Sequence, residues 1–259
     1  MNIKWPCVFC LVLFGSAIFL GSAPLSGDSH AIPTYPFHSG EKLVFVIKYE
    51  FIGAGVATLE VKKGPLIEKR PTFQFISEAK SNSFIDVFFK VRDYNSTIVD
   101  AQTLTTLSFH QNLKEGHYQV VRNIHLDYAK KTYAYERVYK GQTNTKTGPL
   151  EEPVTDVLSS FYLTRSLPLK LGEEYAIRVF SDKHIYSLKV VVDKHTHMIR
   201  VPAGRFDCLQ IEPFIEGDAI FKLKDGKMQI WLTNDNRRMP VLIRSKVSVG
   251  AFDAELEKY

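Results

Sequence analysis

The stretch Lys42–Lys62, KLVFVIKYEF-IGAG-VATLEVK, decides how the rest of the chain is read. Leu43, Phe45, Ile47, Tyr49 and Phe51 recur at every second residue, while Lys48 and Glu50 fall on the other face. That is the period of a half-buried strand, not of a helix. Gly53-Ala54-Gly55 breaks the run, and Ala57, Leu59 and Val61 resume it. Two strands joined by a turn or bulge are therefore expected. Strand patterns follow at Thr72–Ala79, Phe84–Arg92, Thr105–Gln111, Tyr118–Asp127 and Thr132–Tyr139. Others are Tyr175–Phe180, His184–Asp193, Met198–Val201, Phe206–Phe214, Lys227–Leu232, Val241–Val247 and Phe252–Glu257. Turn-forming residues separate many of them, at Lys114-Glu115-Gly116, Pro202-Ala203-Gly204, Lys224-Asp225-Gly226 and Asn234-Asp235-Asn236. Short strands in succession, with no alternating helices, predict an antiparallel all-β fold.

One segment departs from the pattern. Pro153–Ser166, PVTDVLSSFYLTRS, places Val154, Val157, Leu158, Phe161, Tyr162 and Arg165 at helical spacing. Pro153 suits a first turn, Thr155 and Asp156 suit an N-terminus, and Pro168 stops the helix. The preceding Gly141–Pro149, GQTNTKTGP, reads as a polar loop. The expected fold is mainly β: a large curved antiparallel sheet or an open β-barrel, with one principal α-helix at about 153–166. Residues 32–259 read as a single β-rich domain, divisible into β halves at 37–150 and 170–259 around the helix. A weak internal echo accompanies the division, because Gly40-Glu41 precedes one strand pair and Gly172-Glu173 another.

The N-terminus belongs to neither half. Ile3–Leu20, IKWPCVFCLVLFGSAIFL, has Lys4 as its only charge and ends among small residues. This is the pattern of a secretory signal peptide over residues 1–31, with cleavage after Ala23 or Ala31. A retained anchor is the other reading, although the apolar run from Trp5 is short for a span and contains Pro6 and Gly15. Cys7 and Cys10 lie inside this run, so their C-x-x-C spacing carries no redox or zinc meaning; only Cys208 would remain in a mature chain. The 259 residues are 45% hydrophobic and 24% charged, with a net charge of +5. That composition folds without disulfides, and its charge is too small and scattered to argue for nucleic acid. A periplasmic or other cell-envelope location follows from the leader, with peripheral or no membrane association after cleavage.

No hydrolase, zinc-protease, phosphate-loop or dinucleotide fingerprint occurs in the chain. His195-Thr196-His197 could present two imidazoles on one strand face, with His184 or Asp193 as a third ligand, but reads first as a polar turn. The pattern assigns no metal, cofactor or catalytic residue. Asn234–Arg238 is the densest polar cluster, and Arg237 in it has the fork that recognises phosphate or carboxylate. Asp93, Asp156 and Arg165 are charges set among apolar neighbours, readable as an acid/base group or as a structural ion pair. Tyr133, Tyr135, Arg137 and Tyr139 form a stripe on one strand face, able to stack on a ring or to make a half-exposed cross-strand ladder. Phe161 and Tyr162 are expected to point into the concave face of the sheet, and Arg165 to find an acidic or carbonyl partner at its rim.

Several stretches together resemble a bacterial envelope family known as the domain of unknown function numbered 3108. They are FHSGEKL at Phe37–Leu43, Gly53-Ala54-Gly55, VRDYNS at Val91–Ser96, DVLSSFYLTR at Asp156–Arg165 and LKLGE at Leu169–Glu173. VPAGRFDC at Val201–Cys208, IWLTNDNRRMPV at Ile230–Val241 and VGAFDAEL at Val249–Leu256 complete the ordered set. The resemblance implies an exported, mostly β domain and supplies no catalytic residues. From the residues themselves, a curved sheet needs its concave face filled by side chains, a helix or a ligand. Phe84–Val91 is a nearly continuous apolar run, to be buried on both faces or exposed at a lip. The function expected is non-catalytic binding or carriage of an apolar or amphipathic ligand such as a lipid, with Tyr133, Tyr135, Phe161, Tyr162, Arg165 and Arg237 as contact residues. The alternative is a structural or assembly factor for an envelope protein or polysaccharide, and a less favoured one is an uncharacterised enzyme.

Overall fold

The computed structural model describes residues 32–181, 183–215, 228–247 and 250–259. The leader read at 1–31 and the turn read at 224–226 lie outside the described residues. Among the described residues, fourteen strands form one antiparallel sheet, with two helices outside the ladder. Before the longer helix come β1 (Lys42–Tyr49), β2 (Ile52–Lys63), β3 (Thr72–Ser81), β4 (Arg92–Asp100), β5 (Thr106–Glu115), β6 (Tyr118–Asp127), β7 (Thr132–Tyr139) and β8 (Gln142–Pro149). After it come β9 (Glu174–Ser181), β10 (His184–Val201), β11 (Gly204–Ile215), β12 (Met228–Thr233), β13 (Pro240–Val247) and β14 (Gly250–Lys258). Helix α1 is Ser83–Asp86 and α2 is Val157–Ser166.

The order across the sheet is β8-β7-β6-β5-β4-β3-β2-β1-β14-β13-β12-β11-β10-β9. Strands consecutive in sequence pair with each other, except β8 and β9, and β1 pairs in addition with β14. The first and last strands therefore pair inside the sheet, and both free edges, β8 and β9, fall in mid-chain. These edges do not pair with each other, so the sheet stays open. The segment between them stitches the gap instead. Thr155 N donates to Arg178 O at 2.9 Å, Phe180 N donates to Thr155 O at 2.7 Å, and Thr106 N donates to Val154 O at 3.0 Å. Strand direction defines two rims: α2 lies where β1, β3 and β9 begin, and the β1–β2 turn and α1 lie at the opposite rim.

The alternation at Lys42–Lys62 is real in register, with Phe45 opposite Ala57 and Leu43 opposite Leu59. Four local readings need correction. Phe84–Arg92 is not a strand: Asn82 caps α1 by accepting from Ile85 N at 2.9 Å, and pairing resumes only with a bridge at Val91, ahead of β4. A continuous apolar run has no period with which to tell strand from helix. The polar Gly141–Pro149 is not a loop but contains β8, whose exposed edge position needs no apolar face. His184–Val201 is one long strand, with a register shift between Val192 and Thr196 where a turn is expected. Helix α2 begins at Val157, because Asp156 caps it, rather than at Pro153.

The internal echo has a structural counterpart. Gly40 (φ 97°) donates to Val61 O at 2.8 Å, and Val61 N donates to Glu41 O at 2.9 Å. Gly172 (φ 78°) likewise donates to Asp193 O at 3.1 Å, and Val192 N donates to Glu173 O at 2.9 Å. Each glycine takes a left-handed conformation that a side chain would strain.

The main core fills the concave face near α2. Tyr162 is fully buried and stacks on Phe75 at 3.8 Å between centroids, and Phe37 meets both rings edge-on. Phe161 is only half-buried and touches Tyr162 at 5.6 Å. Only one of the two adjacent aromatics is thus a plug. Tyr162→Ala should cost about 3–5 kcal/mol in urea unfolding, the range for truncating a buried aromatic, and Phe161→Ala clearly less. Because the Tyr162 hydroxyl is buried without a partner among the described residues, Tyr162→Phe should be neutral or stabilising.

Candidate functional site

Helix α2 is held at both ends by buried charge. At its start, Asp156 accepts from Leu158 N at 2.8 Å, Thr97 Oγ1 at 3.0 Å and Thr106 Oγ1 at 2.6 Å. Its own amide donates to Ser159 Oγ at 2.8 Å, closing a capping box. Burial pushes the Asp156 carboxyl pKa up, partly offset by hydrogen bonds from Thr106, Ser159 and Thr97.

At the other end, Arg165 has 1% of its surface exposed, yet each of its three guanidinium nitrogens has an acceptor. Nη1 donates to Glu41 Oε1 at 2.7 Å and Nη2 to Glu41 Oε2 at 2.9 Å, a bidentate fork. Nε donates to Arg238 O at 3.0 Å, and Nη2 also reaches Arg237 O at 3.2 Å and Pro36 O at 3.4 Å. The same group lies over the rings of Phe37 and Tyr162 at 5.5 and 5.4 Å. One side chain thus joins α2, the segment before β1 and the β12–β13 turn.

The other residues singled out in the sequence are dispersed. Tyr133 and Tyr135 are buried, at 5% and 3% exposure, so they form no half-exposed ladder. They belong to a second core cluster with Phe109, Ile124, Leu126 and Phe180, where Tyr133 meets Phe180 at 4.8 Å. Gly148 leaves room for this, because a Cβ there would sit 2.6 Å from the Tyr133 ring. Arg137 and Tyr139 continue the stripe with a cation–π contact at 4.7 Å. Arg237 is exposed and bound by Asp235 at 2.6 Å, while only its backbone carbonyl reaches Arg165. Asp93 accepts from Lys114 N at 3.1 Å, far along β4 from the Asp156 pocket. Asp93, Asp156 and Arg165 therefore do not converge. His197 turns back on Asp193 at 2.7 Å, with His195 exposed beside it. Among the described residues, no three His, Cys, Asp or Glu side chains gather as a metal site.

Two surface features stand outside these packed regions. A shallow groove of about 490 Å³ runs over the outer face of β4–β8, past Ser96, His110, Asn123, His125, Glu136 and Thr145. Within it Asn123 bonds across the strands to His110 at 2.7 Å and to Glu136 at 2.9 Å. The second feature is at the rim away from α2. There Phe51 is 89% exposed, Phe84 60%, Val87 79% and Phe88 75%, with Ile52 beside them at 45%. This cluster of large apolar side chains has no cover among the described residues.

The sequence profile of a family described as a protein of unknown function (DUF3108) matches residues 44–257. The chain belongs to the DUF3108 family. Among solved structures, it is similar to a β-barrel-like protein of the unknown-function domain DUF1849 from Brucella abortus. The TM-score is 0.51 at 10% identity, over 83% of this chain and 94% of that one. A protein from Bacteroides fragilis with a YmcC-like fold, inferred to be exported, aligns over 86% of this chain and 97% of its own, with a TM-score of 0.29 and 12% identity. No curated protein matches the chain in sequence. For this DUF3108 member the likeness to the Brucella protein shows the fold alone.

Two groups escaped the sequence reading. Glu41 carries no local sign of its role, because its partner is far away at Arg165. The rim cluster is half-visible in sequence: Phe84–Val91 reads as a lip, but the alternation groups Phe51 with Leu43, Phe45, Ile47 and Tyr49, whereas β1 ends at Tyr49. Breaking the buried pair with Arg165→Ala should cost about 3–5 kcal/mol in urea unfolding, since Glu41 is left without its countercharge. A different readout tests Asp156. With its folded pKa raised above the ordinary 3.8, its protonation favours the fold below that value, and this advantage is lost as pH rises through the folded pKa. Asp156→Asn cannot titrate, so its Tm relative to wild type should rise as pH is taken from 3.5 to 7.

Proposed function

We propose that the protein is exported to the cell envelope and there binds an apolar or amphipathic ligand, such as a lipid, without chemically changing it. Residues 1–31 serve as the secretory signal in this reading. The observation that carries it is the exposed apolar rim of Phe51, Phe84, Val87 and Phe88 on an open curved sheet whose other end is plugged by α2. A large uncovered apolar cluster is costly in water and marks a contact surface. The charges singled out in sequence are engaged in the packing, Asp156 in the α2 cap and Arg165 on Glu41, which leaves neither poised for acid/base work. No helix among the described residues is long and apolar enough to cross a membrane.

An assembly role is the second reading, favoured by β8, the polar strand at one end of the sheet order. Its outer side offers backbone groups for strand addition by a protein partner. Native mass spectrometry of the protein purified without detergent decides between them. The ligand reading expects an adduct that organic extraction removes and that a fluorescent fatty acid replaces. Repeated absence of both adduct and probe uptake would reject it. A stoichiometric complex with an envelope protein, formed by lipid-free material, would favour the second.

A further inference from the structure

The exposed rim side chains come from two turns that are tied together. Asn82 Nδ2 donates to Gly53 O at 2.7 Å, and Asn82 N donates to Ala54 O at 2.9 Å, lacing α1 to the β1–β2 turn. The Phe84 and Phe88 rings meet edge to face at 5.8 Å. Ser81 and Arg92 both bind Asp86, at 2.5 Å each, so the acid of this helix is neutralised and turned into the fold. Arg92 in turn holds the Asp86 carboxyl below the usual carboxylate range. The lip is thus a small preformed element, and its large side chains are left to solvent.

Cationic groups border it. Gly116 N donates to Lys90 O at 2.8 Å, and a Cβ at Gly116 would lie 2.9 Å from the Phe89 ring, so the β5–β6 turn packs directly beside the lip. Lys90 follows Phe89, and Lys114 stands on β5 just before that turn; both are exposed, and neither has an ion-pair partner among the described residues. Exposed Phe and Val flanked by unpaired lysines have the chemistry of an interfacial anchor: apolar groups for the acyl boundary and ammonium groups for phosphates.

We propose that this lip docks the protein on an anionic bilayer, with Phe51, Phe84, Val87 and Phe88 entering the headgroup–acyl boundary and Lys90 and Lys114 lying at phosphate level. The side chains project from two turns instead of lining a groove, which suits a fluid surface. The proposal takes its setting from the export reading but does not require a bound ligand. It is tested by flotation of the purified protein with vesicles of phosphatidylcholine alone or with 30% phosphatidylglycerol. Wild type should float with the anionic vesicles and much less with the neutral ones, and 0.5 M NaCl should weaken the difference. The triple variant F84S/V87S/F88S should lose about 100-fold or more in partitioning with its Tm retained, as expected for three exposed apolar anchors. Lys90→Glu with Lys114→Glu should abolish the anionic preference. Failure of wild type to float, or flotation of the triple variant equal to wild type, would overturn the proposal. So would a wild-type dimer that the triple variant abolishes without any vesicle binding, because that would assign the lip to a second copy. The outcome is separable from ligand carriage: vesicle binding without a mass adduct supports docking and rejects carriage, and an adduct without vesicle binding does the reverse.

Discussion

The pairing of β1 with β14 is the constraint on which the rest of the structure depends. Val46 faces Glu255, Ile47 faces Ala254 and Tyr49 faces Phe252 along this seam. It unites the first and last strands by backbone hydrogen bonds, so neither is an edge. An antiparallel meander then has to leave its free edges at the chain's middle, between β8 and β9. Unpaired backbone groups at an edge must be met by water or by other segments. The stretch around Val154–Asp156 meets part of that requirement at β9, also takes the first amide of β5, and delivers the chain directly into α2.

This routing explains why the buried charges are where they are. A helix of ten residues is too short to be stable alone in water. It persists because its N-cap carboxylate is fixed by hydroxyls from β4 and β5, and its C-terminal arginine by Glu41 at the other side of the concavity. Arg165 suits this position because its planar fork serves a carboxylate and two backbone carbonyl regions at once, which a lysine could not do. Phe37, Phe75 and Tyr162 then close around it as aromatic packing. The plug is a polar frame with an apolar filling, and its polar parts are structural.

The opposite rim is built on another principle. Its groups are held by local caps and short ion pairs, and its largest apolar side chains face outward. The contrast between one packed end and one apolar, lysine-bordered end gives the molecule a polarity that the open sheet alone would not have. Likeness to a β-barrel-like structure agrees with the sheet architecture; the contact chemistry is read from the rim itself.

By itself, the sequence determined the strand-rich class, the single principal helix and much of the strand spacing, because period-two burial is a local property written in consecutive residues. The polar strands β4 and β8 were missed or read as loop, because polar residues turned inward on β4, and an edge exposed on both sides at β8, leave no such period. Phe84–Val91 is helical at its start and not a strand, because a continuous apolar run carries no period to tell the two apart, and the Asn82 cap on Ile85 N sets the helix locally. Tertiary structure decided that Tyr133 and Tyr135 are core, that Arg165 belongs to Glu41, that Arg237 contributes its carbonyl to that site, and that Phe51 joins Phe84 and Phe88 at one rim. Each of these depends on a partner distant in sequence, and no local pattern records which strand will be folded beside which.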